Sequence, residues 1–289
     1  MEKPVSPSPI TELHCHTRAS DGTLTPTELL QLAALRDVTV LAVTDHDTLA
    51  GHEEAIRAGE KLGIRVLRGI EVSSLSPQGE VHVLGYGVEP SDSRTAARIG
   101  ELREARDGRA RAMVSKLHGL GIPLSYERVK QIAGDAMVGR PHVARALLEG
   151  NWVTTRQEAF DIYLAEGKPA FVPHQGLTPA QAVDLIHQAN GIAVMAHPGI
   201  YVGDADALLD ELLAHQLDGV EVFYPLHTPE QTEHYLAFTQ RHKLLATGGS
   251  DFHGFAGDGE VVLGSIRLPA GTLESLDERI ARVRAAALN

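Results

Sequence analysis

Short apolar runs alternate with capped helical segments through most of this chain, and that alternation limits the fold more than any other feature. Strand candidates are Ile10–His16, Thr39–Thr44, Arg65–Val72, Val81–Gly85, Ile192–Ala196, Gly219–Phe223, Leu244–Thr247 and Val261–Arg267. Several are continuously apolar, as strands covered on both faces must be. Three helices open in the same way, at Thr25-Pro26, Thr178-Pro179 and Thr228-Pro229. In each, Thr caps exposed amides, and Pro at the first helical position gives up an N–H that has no partner there. Repeated strand-then-helix units predict a parallel sheet, and their number predicts an α/β fold closed into a barrel.

The pattern breaks after about Pro90. From Ser93 to Glu149 the sequence reads as helix, with Arg/Glu-rich stretches and no clear strand, and barrel-type units resume near Thr178. The expected organisation is a barrel built from residues 1–92 and 178–289, interrupted by a mainly helical insertion over 93–177. Charge divides along the same line. Arg94–Lys168 holds 13 Lys/Arg against 9 Asp/Glu, while the remainder holds 13 against 29. The acidic part suits metal cations and the basic part suits an anion, although ordinary solvated helix faces account equally well for any single charge.

At 289 residues the chain can bury a full core. The opening MEKPVSPSPI has three prolines and no apolar core, so it does not read as a signal peptide. The longest aliphatic stretches are strand-sized, as in Val40-Leu41-Ala42-Val43, which leaves no membrane span. One cysteine, Cys15, permits no internal disulfide, and a reducing cytoplasm is the simplest compartment. No obligate protein partner is evident.

The histidines carry the chemistry. Six of fifteen fall in or just after strand candidates, accompanied by carboxylates. His14 and His16 share one face of the first strand, so both could grip one ion, while Leu13 and Cys15 point into packing. The second strand ends in Thr44-Asp45-His46-Asp47, the third in Gly69-Ile70-Glu71, and the fifth in Ala196-His197-Pro198. Asp251 and His253 again share a face, His82 lies within the fourth strand, and Asp21 follows the first. Taken singly, His46 could cap a helix, Glu71 could pair with an arginine, and His82 could be a satisfied core histidine. Jointly they point elsewhere, because buried imidazoles and carboxylates are costly unless paired or metal-bound. Barrel active sites also gather at the C-terminal ends of strands.

The motifs His14-Cys15-His16 with Ser20-Asp21-Gly22, Thr44-Asp45-His46-Asp47, Ala196-His197-Pro198 and Ser250-Asp251-Phe252-His253 resemble those of the PHP (polymerase and histidinol phosphatase) family. The resemblance spans roughly Glu12–Gly85 and Gly191–His253. It implies a distorted (β/α)7 barrel, so one of the eight strand candidates should lie outside it. It also implies two or three divalent ions. His14, His16, Glu71 and Asp251 would surround one, and Glu71 would bridge to a second held by His82 and His197. Asp21, His46 and His253 would hold a third. Many relatives carry a histidine where Asp21 stands; a carboxylate there favours Mn²⁺ or Mg²⁺ over Zn²⁺, while the imidazole-rich remainder suits Mn, Fe or Zn. Mn²⁺ is the expected ion.

Within the family the likeness is to the bacterial branch that removes the 3′-phosphate from nucleoside 3′,5′-bisphosphates, which includes ribonuclease AM, a 5′→3′ exoribonuclease on short RNA. It rests on the Leu13–Gly22 stretch, Gly139-Arg140-Pro141-His142-Val143-Ala144, Gly167-Lys168-Pro169-Ala170 and Gly219-Val220-Glu221-Val222. The expected nucleophile is a metal-bound hydroxide, assisted by Asp21, His46 or His227. Arg103, Arg106, Arg140 and Lys168 are candidate anchors for a non-reacting 5′-phosphate. Arg18 is a candidate extra phosphate contact, and His142 and His174 are candidate substrate contacts. The expected partner is a small-molecule nucleotide or short RNA.

Three rival readings remain at this point. An amidohydrolase would commonly place a metal-bridging lysine at a middle strand's end, and Val81-His82-Val83-Leu84 offers none. A histidinol-phosphate phosphatase would have little use for a basic insertion long enough to cover a nucleotide. A non-catalytic metal-binding domain should have lost ligands, and none of the nine is missing.

Overall fold

The computed structural model describes residues 10–89, 93–134, 136–173, 176–254 and 261–287. Seven strands form one sheet in sequential order: β1 (Ile10–Cys15), β2 (Val38–Val43), β3 (Arg65–Ser76), β4 (Gly79–Tyr86), β5 (Ile192–Met195), β6 (Gly219–Phe223) and β7 (Leu245–Gly248). The backbone just past β7 returns to β1. Asp251 N–H donates to the His14 carbonyl at 2.8 Å, and His16 N–H donates to the Phe252 carbonyl at 2.9 Å. Gly249 permits this approach, since a Cβ there would lie 2.4 Å from that of His14. The arrangement is α/β and barrel-like. The eighth candidate, Val261–Arg267, forms no strand. The segment after β7 already occupies the β1 edge, and Leu263 instead fills the apolar cluster between β1, β2, α1 (Pro26–Leu35) and α2 (His52–Leu62).

One expectation needs correction: the sheet is not wholly parallel. β4 runs antiparallel to both β3 and β5, while the remaining neighbours are parallel. Only Pro77 and Gln78 separate β3 from β4, and two residues can close a hairpin but not a parallel crossover. The reversal matters for the site. An antiparallel strand starts at the mouth where its neighbours end, so His82 near the start of β4 faces the same opening as Glu71. In register, His82 pairs with Ser73.

All three Thr-Pro helix starts form as expected, in α1, α7 (Pro179–Gln188) and α9 (Pro229–His242). Each has a reciprocal capping box, with Thr25 and Glu28, Thr178 and Gln181, and Thr228 and Gln231. Two further helices, α8 (Ala205–Ala214) and α10 (Thr272–Ala287), cover the later strands. No helix among the described residues is long and apolar enough to cross a membrane.

Between β4 and α7 the described chain is helical: α3 (Ser93–Gly119), α4 (Tyr126–Ala133), α5 (Arg140–Glu149), α6 (Arg156–Ala159) and a π-helical turn at Phe160–Leu164. α3 has 27 residues and is therefore about 40 Å long. Its first half packs Ile99 and Leu102 into the core of the sheet and α7–α9. Its second half gives Ala110, Met113, Val114 and Leu117 to a separate core shared with α4 and α5. Gly100 lies exposed in this helix, and a Cβ there would meet nothing within 4 Å. Gly100→Ala is therefore expected to stabilise the protein by about 0.5–1 kcal/mol, measured as a raised denaturant midpoint at constant slope. A lowered midpoint would contradict the helical environment described for Gly100.

Candidate metal centre

Strand geometry assembles the cluster. Alternation along β1 turns His14 and His16 inward, where both are fully buried. Asp45, just past β2, accepts from the Thr17 N–H at 2.7 Å, the Thr17 hydroxyl at 2.6 Å and the Ser20 hydroxyl at 2.6 Å. This fastens the turn that presents Asp21. Glu71 is held in β3 by its backbone, its N–H donating to the Asp45 carbonyl and its carbonyl accepting from Asp47 N–H. Asp47, His197 and Asp251 all adopt left-handed backbone, with φ of 51°, 29° and 56°. Each such residue costs on the order of 1–3 kcal/mol and persists only where the surroundings enforce it.

Glu71 is the hub. One carboxylate oxygen lies 3.4 Å from His14 Nε2, 3.2 Å from His16 Nε2 and 3.1 Å from His46 Nδ1. The other lies 2.9 Å from His82 Nδ1 and 3.1 Å from His197 Nε2. Asp251 Oδ1 sits 3.3 Å from His14 Nε2 and 3.1 Å from His16 Nε2. Asp21 lies 3.4 Å from His253 Nε2 and 3.7 Å from His46 Nε2. Three groups of ligand atoms result, each within 4.8 Å: His14, His16, Glu71 and Asp251; His46, Glu71 and His82; and His16, Asp21, His46 and His253. All nine residues singled out in the sequence are thus brought together, with His197 joining through Glu71.

These residues fit divalent cations. His14 Nε2, both nitrogens of His16, His46 Nδ1, His82 Nδ1, Glu71 Oε2 and Asp251 Oδ1 are buried and lack a hydrogen-bond partner. Their close approaches do not have hydrogen-bond alignment, and unsatisfied polar atoms on this scale are costly. Around an ion with bonds of about 2.1 Å, neighbouring ligand atoms are roughly 3.0–3.4 Å apart, the spacing most of these pairs show. Electrostatics favours positive charge here. Burial opposes ionisation throughout, yet Glu221, Asp251 and Glu71 hold His14 well above the usual imidazole range. His16 is likewise raised, to about 10, by Asp251 and Glu71. Against the same burial, facing imidazoles hold Glu71 and Asp21 well below the carboxylate range. His46 moves the other way, because burial outweighs its acidic neighbours and keeps it neutral.

Comparison with known proteins agrees with this geometry. The family model for the PHP domain matches residues 12–162. The 3′,5′-nucleoside bisphosphate phosphatase of Chromobacterium violaceum is 38% identical over 246 residues, covering 84% of this chain and 86% of the relative. The chain belongs to the PHP domain family. Another relative, the 5′-3′ exoribonuclease Rnm of Escherichia coli, is 36% identical over 251 residues, 84% of this chain and 85% of that one. A solved structure from Bifidobacterium adolescentis, described as a metal-dependent phosphoesterase, superposes with a TM-score of 0.87 at 32% identity. It covers 94% of this chain and 97% of its own.

Behind the cluster of this PHP protein stands a second set of carboxylates. Glu221 Oε1 accepts from His14 Nδ1–H at 2.9 Å, and Oε2 accepts from the His197 backbone N–H at 2.9 Å. One buried carboxylate thus orients His14 with Nε2 toward the cluster and fixes the turn carrying His197. Glu12 accepts from the N–H groups of His14, Ser250 and Gly264, tying β1 to the segment that carries Asp251. Tyr224 donates its hydroxyl to Asp251 Oδ2 at 3.0 Å. Sequence reasoning assigned none of these roles. The partners lie up to 252 positions apart, and only the alternation in β1, which puts Glu12 on the His14 face, hints at any of them. Glu221→Gln is expected to weaken metal binding about 10–100-fold in a chelator competition, with the fold intact by circular dichroism. Unchanged affinity would remove Glu221 from this role.

A cavity of about 780 Å³ opens over the cluster, with Asp21, His46, Glu71, His82 and His197 in its lining and Arg106, Arg109, Arg140 and Arg156 as its arginines. Arg140 and Arg109 share the Glu80 carboxylate, which they hold down at about 2 against burial. Arg109 and Arg156 are additions to the sequence reading; the three-residue spacing of Arg106 and Arg109 on α3 carried the signal. Arg106 is largely committed to the protein, donating to Asp47 at 2.6 Å and to the Ser73 hydroxyl. Arg103 and Lys168 are exposed outside this lining, which separates them from the anchoring role expected of them. Arg18 donates to the Thr23 carbonyl at 3.0 Å and, with His142, lines a separate cavity of 30 Å³ bordering Asp21. That space is too small for a phosphate, so neither contacts substrate there. His227 uses both ring nitrogens internally, accepting from Gly199 N–H and donating to the Val222 carbonyl. It is therefore a strut and not a proton carrier. His174 lies outside the described residues.

Proposed function

We propose that this metal-dependent phosphoesterase removes the 3′-phosphate from nucleoside 3′,5′-bisphosphates and uses the same site on the 5′ end of short RNA. The observation that carries this reading is one cavity lined both by the His/Asp/Glu cluster, which suits cations that grip phosphate, and by Arg140 and Arg109, which there share Glu80. Relatives named for those two substrates share most of the chain. The cluster holds two or three divalent ions through His14, His16, Asp21, His46, Glu71, His82, His197, Asp251 and His253, and its mix of carboxylates and imidazoles favours Mn²⁺.

When bound, such ions polarise phosphoryl oxygens and acidify water toward neutrality. The chain's own residues do the rest. Arg140 grips the non-reacting 5′-phosphate, and Glu71 with Asp251 sets where the 3′-phosphate lies. Ionised Asp21 and neutral His46 line the cavity beside Glu71 and orient the attacking water. Residues 93–177 act as a cover over the barrel mouth, bringing the arginines to the substrate.

One solved structure named an amidohydrolase, from Chromobacterium violaceum, is 35% identical and covers 93% of this chain. Among the described residues, however, no lysine lines the cavity, and relatives named for phosphoester substrates favour the phosphatase reading. A phosphate-release screen over adenosine 3′,5′-bisphosphate, nucleoside monophosphates, histidinol phosphate and short RNA, repeated with Mn²⁺, Mg²⁺ and Zn²⁺, tests the proposal. The bisphosphate should give the highest kcat/KM, with Mn²⁺. Hydrolysis of amides or lactones with no phosphate release would overturn it. Arg140→Ala should raise KM for the bisphosphate about 10–100-fold, as loss of charged hydrogen bonds does, and leave nucleoside 3′-monophosphates nearly unaffected. Equal effects on both substrates would remove Arg140 as the anchor.

A further inference from the structure

Two large, well-exposed aliphatic side chains sit in the open cavity, alongside its metal-binding cluster, its arginines and the partly buried Phe160. Ile200 is 43% exposed and Leu226 is 65% exposed, and both line the cavity that holds the metal-binding cluster. Ile200 closes the short 3-10 turn Pro198–Ile200 after β5, immediately beyond His197. Leu226 lies on the loop after β6, two residues beyond Tyr224. Neither belongs to a core cluster of the described residues.

The two loops are fastened to each other. His227 Nε2 accepts from the Gly199 N–H at 3.0 Å, its Nδ1–H donates to the Val222 carbonyl at 2.9 Å, and Gln231 Nε2 donates to the Gly199 carbonyl at 2.9 Å. Ile200 and Leu226 are therefore presented on tethered backbone and need little ordering when something covers them. Ile200 also lines a second cavity of about 260 Å³, which shares Glu80, His82, Arg140 and His197 with the first and adds Val81, Met195 and Tyr201.

We propose that Ile200 and Leu226 form the nucleobase ledge of this enzyme. The inference rests on the nucleotide reading above and extends it. A nucleotide is charged at its phosphates and flat and weakly polar at its base. The cavity offers both kinds of surface, the cluster and arginines for phosphates and the exposed aliphatic pair for a base. Aliphatic side chains carry no donor or acceptor, so the ledge gains affinity by covering apolar surface and does not read base edges. Adenosine, guanosine, cytidine and uridine bisphosphates are accordingly processed with similar kcat/KM.

The test compares adenosine 3′,5′-bisphosphate with an abasic analogue, 1-deoxyribose 3,5-bisphosphate, on Mn²⁺-loaded enzyme. In Ile200→Ser/Leu226→Ser, the ratio of KM for the nucleotide to KM for the abasic analogue should rise about 5–30-fold, the loss expected from uncovering two aliphatic side chains. Leu226→Trp should move that ratio the opposite way, by adding a stacking surface. A ratio unchanged in both variants, or strong preference of the wild type for one base, overturns the ledge. Release of no phosphate from either compound by the wild-type enzyme would overturn the bisphosphatase reading itself, a result distinct from the other two.

Discussion

Replacing Glu71 with glutamine is expected to lower turnover on the order of 10³-fold or more, equivalent to several kcal/mol of lost transition-state stabilisation. No other residue touches as much of the cluster. Its two oxygens face five histidines at 2.9–3.4 Å, and it belongs to two of the three ligand groups. Glutamine keeps the shape but carries no charge and offers one oxygen, with an NH₂ group that binds no cation. Bound metal should fall by at least one ion per chain by elemental analysis. Backbone hydrogen bonds to Asp45 and Asp47 hold position 71 independently of its side chain, so circular dichroism and gel filtration should be unchanged. Near-normal turnover with a full metal complement would refute the hub role.

Chelation should have the second largest effect. An ion at a thousandfold excess over its Kd stabilises the folded state by about 4 kcal/mol, so stripping one such ion should lower Tm on the order of 10 °C. The size of the drop depends on pH. In the metal-free protein the raised pKa of His16, about 10, makes its pairing with Asp251 and Glu71 stabilising below the ordinary imidazole value of 6.5, and that help is lost as pH rises through 10. The depressed pKa of Glu71 contributes above its ordinary value of 4.5 and is lost as pH falls below it. Metal-free protein is thus helped most between those ordinary values, whereas metal must displace the imidazole protons to bind. The Tm gap between metal-loaded and chelated protein should therefore widen from mildly acid to mildly alkaline buffer. A constant gap would show that His14 and His16 are not exchanging protons for metal.

Much of this was open to sequence reading because the ligands sit at strand ends, where hydrophobic runs stop and polar side chains begin. His14 and His16 follow from two-residue alternation, and the Thr-Pro pairs announce α1, α7 and α9 with their caps. The reversal of β4 was less visible. The candidates ending at Val72 and beginning at Val81 left too few residues between them for a crossover helix, and both strands in fact run further toward each other. An apolar run at Val261 mimicked a strand because periodicity reports burial and cannot show whether an edge is available. The roles of Glu221, Glu12 and Tyr224 depend on side chains meeting across the barrel from distant positions, which no local pattern encodes. His227 misled for a similar reason: its type suggests proton transfer, and only its two internal hydrogen bonds assign it to holding loops.

The long α3 helix has a mechanical consequence. It is anchored in the sheet's core through Ile99 and Leu102 and in the helical core from Ala110 onward, with Arg106 and Arg109 between the two. It is thus a lever, and those arginines ride at its fulcrum. If the helices beyond Ala110 swing, their far ends sweep widely while the distance from Arg106 to Asp47 barely alters. Such a swing would widen the cavity mouth while the Arg106 contact to Asp47 beside the metal ligands keeps its length.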